Sequence, residues 1–536
     1  MIRRPRLLAA AAVAALVAAA LWGRGRTGAD VPSFADQVCA LPEGWLALTR
    51  RGYEPARSGE ISILPRPPVY WGSAAGGWAH SGPFPHLQRV PLVFYAPGLD
   101  ARRVDRSVTV ADVAPTLAEL LGVKAPSATG EVLTEVGAAW SAVHRAPPRL
   151  VVVVVWDGGG WNVLERWPDA WPTLGRMMRA GISYSRAIVG SSPSVTPAVH
   201  TTLGTGAFPR THGITSIHVR DGTGEVVDAF YEGESSRLVR VPTLAEIWDQ
   251  SNANAARIGM VGYEPWHLGM IGRGAEKSRG DRDDAVWLDI ETNEWISNTR
   301  HYSLPTAFAR ATGLERDLEE LDAADGRVDG AWGEHDILGD RTRVEETPAF
   351  IVYHTRTMID MLRSEGYGRD RVADLLFTNY KQIDRVGHYF NMSSDEVRQS
   401  LEESDRQLAE LLDHLDRSIG RDYLVVLTAD HGQQPDARAV DGYGINPTEL
   451  ERDVNAEFGP VARAAWPTEV FLELEELRAR RVSIAEVARF IADYRLEDNI
   501  DGWDSAPYTG EVELDDRLFA LAAPSEVMAG TECAGS

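Results

Sequence analysis

Positive charge is scarce in this chain of 536 residues, in which 54 Lys and Arg stand against 78 Asp and Glu. The formal net charge is −24. Because so acidic a chain repels the phosphates of DNA and RNA, the composition argues against nucleic-acid binding, and we expect no sequence-specific binding of this kind. Most of the carboxylates are expected at the solvated surface, since metal ligands would account for only a few of them.

Long apolar runs are also scarce, and the chain has one, from Leu7 to Trp22. It follows three arginines within the first six residues, which is the pattern of an export signal. The run is shorter than the roughly 20 residues of a spanning helix. Small residues at its end allow cleavage, whereas Arg24 and Arg26 favour an uncleaved anchor. Residues 1–29 are therefore predicted to be a signal peptide or an N-terminal anchor that attaches the protein to a membrane. In both cases the body of the protein lies outside the cytoplasm, secreted or on the outer face of the membrane.

Cysteine is nearly absent. Cys39 and Cys533 are the 2 cysteines, and each lies close to one end of the mature chain. They are either two unrelated thiols or one disulfide that ties the ends together. Export permits the disulfide, and we prefer it.

Histidine is missing from the rest of the chain after His431. This absence matters because Asp430-His431-Gly432 has the pattern of a metal-ligand pair. A two-metal hydrolase of the kind that this pattern indicates needs one more histidine. That histidine has to come from an earlier part of the chain.

The chain does contain the elements of a large α/β protein. Val151 to Val155 predicts a central parallel strand that is buried on both faces. Residues 374–378 and 423–428 predict two more core strands, and residues 394–414 predict a helix between them. The fold class is therefore α/β, with a doubly wound and mostly parallel sheet. Residues from about 262 to 345 have weak periodicity and are predicted to be a cap inserted over the site.

Asp and His side chains follow each of these strands. Asp157 follows the valine strand, Asp384 and His388 follow the second, and Asp430 and His431 follow the third. Each has a plain alternative on its own, such as the cap of a turn or a surface ion pair. Since the carboxyl ends of parallel strands meet at one edge of a sheet, the set predicts a site there. Asp and His donors suit zinc, and two zinc ions form a clamp for in-line phosphoryl displacement.

A threonine completes this pattern. Thr196 precedes Pro197 and stands four residues before His200, so it is either a helix N-cap or a nucleophile. A threonine hydroxyl is a poor nucleophile at neutral pH, and coordination to a metal makes it competent. Ser194 is a second candidate for the same role. His200 and His212 are more often packing or hydrogen-bonded histidines than ligands.

In these motifs the chain resembles the alkaline phosphatase superfamily, most closely its type I phosphodiesterase/nucleotide pyrophosphatase branch. The resemblance covers most of the chain from about residue 50 onward. The motif residues are Asp157, Thr196, His200, Thr205-Gly206, His212-Gly213-Ile214, Asp384, His388, Asp430 and His431. The resemblance implies two Zn²⁺, although other divalent metals would fit the same donors. One zinc would be held by Asp157, Thr196, Asp430 and His431, and the other by Asp384, His388 and a further histidine.

The family places that further histidine after its Asp-His-Gly motif, where this chain has none. The matching segment lies at the front, where His80 stands ten residues before Val90-Pro91-Leu92 and a later Ala114-Pro115-Thr116-Leu117 follows. His86 is the rival ligand, and the spacing favours His80. The resemblance therefore implies that the family's C-terminal part has moved to the front by circular permutation, and a disulfide between the two cysteines would restore the lost connection. Residues 30–146 are predicted to be the permuted segment, and residues 149–536 are predicted to be the catalytic core with its cap.

The chain departs from the family at Ile217, where many members have an asparagine that contacts a phosphoryl oxygen. Ser216 or His218 could replace that contact, and no Lys or Arg for the other oxygens is identifiable. An uncovered oxygen favours a diester over a monoester. The resemblance thus implies an exported two-zinc hydrolase that cleaves phosphodiester or pyrophosphate bonds in a small phosphate ester through a phosphothreonine. The alternatives are a phosphomonoesterase with the same site and a catalytically silent binding protein with the same fold.

Overall fold

The computed structural model describes residues 31–73, 77–340, 343–500 and 513–533. The predicted signal peptide or anchor, residues 1–29, lies outside the described residues. No helix in the described part of the chain has the length and apolar character needed to cross a bilayer.

The strands of the described residues are β1 (Ile61–Pro65), β2 (Val69–Ser73), β3 (Gly77–Trp78), β4 (Leu92–Tyr95), β5 (Arg102–Thr109), β6 (Leu150–Trp156), β7 (Ile182–Ile188), β8 (His218–Arg220), β9 (Val226–Asp228), β10 (Ile258–Val261), β11 (Asp284–Asp289), β12 (Glu294–Ile296), β13 (Asp374–Tyr380), β14 (Tyr423–Thr428), β15 (Tyr443–Ile445), β16 (Ala462–Trp466), β17 (Glu469–Leu472) and β18 (Phe519–Pro524).

The α-helices are α1 (Phe34–Ala40), α2 (Glu43–Gly52), α3 (Pro85–Gln88), α4 (Val113–Leu121), α5 (Thr134–Val143), α6 (Trp161–Arg166), α7 (Pro172–Ala180), α8 (Thr196–Thr205), α9 (Pro209–His212), α10 (Leu244–Ser251), α11 (Thr306–Ala309), α12 (Leu314–Asp322), α13 (Pro348–Met361), α14 (Gln382–Phe390), α15 (Asp395–Ser418), α16 (Pro447–Phe458), α17 (Leu474–Arg480), α18 (Ile484–Ala492) and α19 (Ser525–Gly530).

The largest sheet has nine strands in the order β12-β11-β10-β13-β6-β14-β4-β7-β5. The valine strand β6 lies between β13 and β14 and runs parallel to both. Its side chains alternate between two apolar cores, one on each face of the sheet. Helices α4 and α8 cover one face, and α13 and α15 cover the other. The predicted fold class, a doubly wound and mostly parallel α/β sheet, is confirmed.

The segment before residue 150 contributes to this sheet. Strand β4 pairs antiparallel with β14 on one side and with β7 on the other, and β5 forms an edge. The apolar sequence of β4 explains its inner position, because both of its faces are buried. The front of the chain is therefore built into the same core as the valine strand.

A smaller sheet of order β16-β17-β1-β18 brings the two ends of the chain together. Strand β1 pairs antiparallel with both β17 and β18. Next to this sheet Cys39 and Cys533 form a disulfide, with their Cα atoms 5.4 Å apart. The preferred interpretation of the two cysteines is thus the one that the structure contains.

Part of the segment predicted as a cap, residues 262–345, lies in the central sheet. Strand β11 pairs parallel with β10, and β12 pairs with β11 at the sheet edge. Trp287 is fully buried there. The acidic residues that flank β11 weaken its apolar signal, which is why periodicity alone does not identify it as a strand.

Candidate active site

The three predicted strand ends meet at one edge of the central sheet. Asp157 directly follows β6, and Asp430 and His431 follow β14 after a single residue, Ala429. Asp384 lies in the first turn of α14, which follows β13. Because β6 runs parallel to both of its neighbours, all these side chains lie at the carboxyl ends of adjacent strands.

Asp157, Asp430 and His431 form what we call the inner cluster. His431 Nε2 lies 3.4 Å from Asp430 Oδ2 and 3.5 Å from Asp157 Oδ1, and all three side chains are 0% exposed. These atoms could hold one metal ion together, because zinc bonds of 2.0–2.1 Å in a tetrahedron separate the ligand atoms by roughly 3.3 Å. His431 Nε2 and Asp430 Oδ2 are buried without a hydrogen-bond partner, as expected for atoms that bind a metal.

Gly158 contributes to the positions of two carboxylates, Asp430 and Asp384. Its φ of +69° lies in the left-handed region, and a Cβ there would come within 3.0 Å of Asp384. The Gly158 amide donates a hydrogen bond to Asp430 Oδ1 at 3.1 Å. The glycine after the valine strand therefore orients one carboxylate and leaves room for another.

Asp384, His388 and His80 form the outer cluster. Asp384 Oδ1 lies 3.2 Å from His80 Nε2, and Asp384 Oδ2 lies 3.3 Å from His388 Nε2. Asp384 and His388 share a face of α14 because they are four residues apart. The two clusters adjoin, since His431 Nε2 is 4.0 Å from Asp384 Oδ1. The outer cluster is the more open one, with the side chains of His80 and His388 10% and 30% exposed.

His80 and His86, the two rival histidines of the front segment (residues 30–146), lie in different places. The His80 ring stacks on that of His431, with the ring centres 3.5 Å apart. His86 instead stacks on Phe84 and faces the edge of Tyr70. Of the two, His80 is the one that the structure places beside Asp384.

Thr196 is the first residue of α8 and follows the N-cap residue Val195, so it is not itself the N-cap. Its hydroxyl is buried and lies at the wall of the cavity beside the outer cluster. Ser194 is fully buried, and its hydroxyl points to the Gly82 carbonyl at 3.4 Å. Thr196 is therefore better placed than Ser194 to meet a substrate.

The two ring-stacked histidines differ in ionisation. Burial and the neighbouring His431 lower the pKa of His80 to about 4, which keeps it in the neutral form that binds metals. Burial would also lower the pKa of His431, but Asp430 and Asp157 raise it to about 9. The two carboxylates thus favour the protonated, positively charged form of His431. A bound divalent ion would supply positive charge in place of that proton.

A cavity of 410 Å³ opens in front of the outer cluster and Thr196. Its wall is largely apolar and includes three tryptophans, Trp71, Trp266 and Trp466. Ile217 lines it at the position of the missing asparagine. Of the two proposed substitutes, Ser216 lines the cavity as well, whereas His218 stacks on Trp466.

His200 and His212 do not approach the cavity. His200 Nδ1 lies 2.8 Å from His267 Nδ1, so one proton joins the two rings, and its Nε2 is 3.5 Å from Asp430 Oδ2. His212 accepts a hydrogen bond from the Ile214 amide and lies 3.1 Å from the Thr202 hydroxyl. His200 therefore supports the inner cluster from behind, and His212 is a hydrogen-bonded histidine.

Sequence reasoning missed two polar residues of the site that lie at the end of β13. Asn379 donates a hydrogen bond to Asp157 Oδ2 at 2.8 Å, and the ammonium of Lys381 contacts Asp157, Asp384 and Thr196. Their signal was present, because both precede Asp384 by five residues or fewer. The direction of a side chain at the end of a strand is set by tertiary packing, which the sequence does not display.

A third missed residue, Glu264, lines the same cavity, and burial raises its pKa to about 7.

The chain is similar to known proteins in sequence and in fold. The sequence profile of the type I phosphodiesterase / nucleotide pyrophosphatase family matches residues 151–524. The chain is 23% identical over 420 residues to a protein of Myroides odoratus named calcium-transporting ATPase, covering 66% of this chain and 74% of that one. It is 22% identical over 412 residues to alkaline phosphatase PafA of Elizabethkingia meningoseptica, covering 66% and 73%.

The crystal structure of wild-type PafA superposes with a TM-score of 0.55 at 22% identity, covering 65% of this chain and 76% of that one. At this identity the superposition establishes a shared fold.

Proposed function

This chain belongs to the type I phosphodiesterase / nucleotide pyrophosphatase family and is a phosphoesterase of the alkaline phosphatase superfamily. We propose that it is an exported two-zinc enzyme that cleaves phosphodiester or pyrophosphate bonds with Thr196 as the nucleophile. The substrate is a small phosphate ester that enters the cavity in front of Thr196.

One observation carries the proposal: Thr196 lines the cavity beside the outer cluster, and the ammonium of Lys381 joins its hydroxyl to a carboxylate of each cluster. The inner cluster with Thr196 would hold one zinc, and the outer cluster would hold the other. Their donors are the Asp oxygens and His nitrogens that zinc prefers. The donor atoms of the inner cluster lie close enough to share an ion, and so do those of His80, Asp384 and His431. When bound, the two ions would lower the pKa of the nucleophile and neutralise charge on the transferring group.

The chain's own residues then perform the two displacements. The Oγ of Thr196 attacks phosphorus, and its proton passes to solvent. An O–P bond forms and the bond to the leaving group breaks on the opposite side, so that the leaving group departs with the electron pair and a phosphothreonine remains. Water then attacks phosphorus and loses a proton to solvent, the bond to Oγ breaks, and Oγ takes up a proton again. Hydrogen bonds orient the carboxylates of the site: Asn379 donates to Asp157, and the Gly158 amide donates to Asp430.

Thr196→Ala tests the nucleophile. We expect the variant to lose turnover of bis(p-nitrophenyl) phosphate while the zinc content measured by mass spectrometry stays near two per chain. The matched control is Ser194→Ala, which removes the other candidate hydroxyl and is expected to retain activity. Full activity in Thr196→Ala would eliminate this nucleophile.

A phosphomonoesterase is the second candidate, and Lys381 is the observation that favours it. The sequence favours a diester because it identifies no cation for the phosphoryl oxygens. In the structure, however, Lys381 Nζ lies 3.0 Å from Thr196 Oγ1 and provides such a cation. The large apolar wall of the cavity favours an ester with a bulky second group, as in a diester. The ratio of kcat/KM for p-nitrophenyl phosphate and its bis ester separates the two candidates.

Export and circular permutation are part of the same proposal. The disulfide suits an oxidising compartment outside the cytoplasm, and it joins the two chain ends as a permuted connection would. The insertion of β4 next to β14 and the location of His80 beside Asp384 also support a front segment that belongs to the catalytic fold. A chain with residues 31–146 moved behind residue 536 is expected to fold and to keep its zinc content and activity.

A further inference from the structure

Lys381 is a buried cation at the centre of the candidate site. It is the residue that follows β13, and it is 4% exposed. Its Nζ lies 2.9 Å from Asp157 Oδ1, 2.8 Å from Asp384 Oδ2 and 3.0 Å from Thr196 Oγ1. A single ammonium thus contacts a member of each cluster and the nucleophile.

The simplest role for such a lysine is that of a counter-ion, because buried lysines are rare unless they are paired. Asp157 and Asp384 lie within 2.9 Å of its ammonium and supply the anionic partners that a buried lysine needs. A counter-ion needs only these carboxylates. Lys381 also donates a hydrogen bond to the hydroxyl of Thr196, and both residues line the cavity.

In a site that has bound two divalent metal ions, the charge balance would allow Lys381 to bind an anion as well. Asp157 and Asp384 contact its ammonium, and two divalent ions bound by the clusters would take over the charge of these carboxylates. The ammonium lines the cavity and could then bind a second anion there. An anion that reaches Thr196 from the cavity would be that second anion.

Two other side chains of the cavity wall, Ile217 and Arg385, are less suited than Lys381 to bind this anion. Ile217 lines the cavity without any hydrogen-bonding group. The other cation on the wall, Arg385, pairs with Glu346 at 3.1 Å and lies over the rings of Tyr263 and Tyr389. In the cavity wall, Lys381 is the cation within hydrogen-bond distance of the Thr196 hydroxyl.

We propose that Lys381 is a catalytic residue whose ammonium binds a non-bridging oxygen of the phosphoryl group that is transferred to Thr196. It thereby replaces the contact that is lost at Ile217. The proposal rests on the function proposed above. Fixed positive charge at such an oxygen stabilises the transition state and is worth most when the phosphoryl group carries most charge, as in a monoester.

The test compares Lys381→Met, which keeps the length of the side chain and removes its charge, with the wild-type zinc enzyme. The control is Lys277→Met, which removes a lysine that pairs with the buried Glu246 away from the cavity. We would measure the Kd of inorganic phosphate by calorimetry, the zinc content, and kcat/KM for p-nitrophenyl phosphate and its bis ester.

For Lys381→Met we expect the phosphate Kd to rise about a hundredfold and kcat/KM for the monoester to fall roughly 10²- to 10³-fold. The diester should lose at least about tenfold less, because it carries less charge. Zinc content should remain near two, and Lys277→Met should behave as the wild type.

Two results would overturn the proposal. One is an unchanged phosphate Kd in the zinc-loaded variant. The other is a fall in zinc content with phosphate binding per zinc unchanged, which is the behaviour of a counter-ion. If Lys381→Met does not fold, Lys381→Gln decides by the same criteria. Phosphate binding does not depend on turnover, so it tests Lys381 even if the wild type cleaves neither ester, which would refute only the proposed function.

Discussion

The inner and outer clusters differ in origin and in exposure. All three side chains of the inner cluster follow the two central strands β6 and β14, and they are 0% exposed. The outer cluster takes Asp384 and His388 from α14 but His80 from the front segment, and it opens to the cavity. The inner cluster is thus formed by the sheet itself, whereas the outer cluster depends on how the front segment docks.

The largest effect on the difference between the two clusters is expected from the variant His80→Ala. The variant removes one of three outer donors and leaves the inner cluster intact. Zinc content is expected to fall from two per chain toward one, and kcat/KM to fall roughly a hundredfold or more. The checks are metal analysis and steady-state kinetics at fixed zinc.

The control for this prediction is His86→Asn, which changes the rival histidine of the same segment. Zinc content should stay at two in this variant. Loss of zinc in His86→Asn, with none in His80→Ala, would reverse the assignment of the ligand.

The docking of the front segment is tested next by Cys39→Ser. The disulfide spans 494 residues of sequence, so its loss frees a very long loop in the unfolded chain. The free energy of unfolding is expected to fall by about 4 kcal/mol, as measured by urea denaturation. Because the disulfide lies beside the small sheet, kcat/KM with saturating zinc should not change. A variant as stable as the wild type would show that the paired strands alone hold the ends.

A smaller and pH-dependent effect is expected at Glu469, which holds the front segment through a hydrogen bond from the Gly59 amide at 2.7 Å. Burial raises the pKa of Glu469 from 4.5 to about 7. The folded protein therefore keeps this proton up to about pH 7, while the unfolded chain loses it near pH 4.5. The contribution of this group to stability is present below pH 4.5 and is lost as the pH rises through 7.

Glu469→Gln removes this titration and retains an oxygen that can accept the Gly59 hydrogen bond. Relative to the wild type, the variant should gain up to about 3 kcal/mol between pH 5 and pH 8. Urea denaturation at the two pH values measures the difference. A stability difference that is the same at both pH values would contradict the raised pKa.

Much of the fold followed from local pattern. The valine run predicts β6 because five β-branched residues in a row suit a strand that is buried on both faces, and the structure extends it by one residue at each end. The strands at 374 and 423 and the helix from 394 follow in the same way. Strand β11 does not, because it is short and flanked by aspartates, and its partner β10 decides its place.

In the candidate site, too, some residues can be predicted from local sequence and others depend on tertiary contacts. Asp157, Asp430 and His431 stand next to their strands, so local sequence indicates where they lie. His80 is remote in sequence from Asp384, and only the resemblance to the family pointed to it. The inward direction of Lys381 depends on Asp157 and Thr196, which are remote in sequence, as well as on the nearby Asp384, so local sequence alone does not determine it.

The most direct test of the two-cluster account is anomalous diffraction at the zinc absorption edge from crystals of the zinc-loaded protein. The account predicts two peaks, one at Asp157, Asp430 and His431 and the other at Asp384 and His388 with His80 as the third ligand. A single peak, or an outer peak that His80 does not contact, would contradict it.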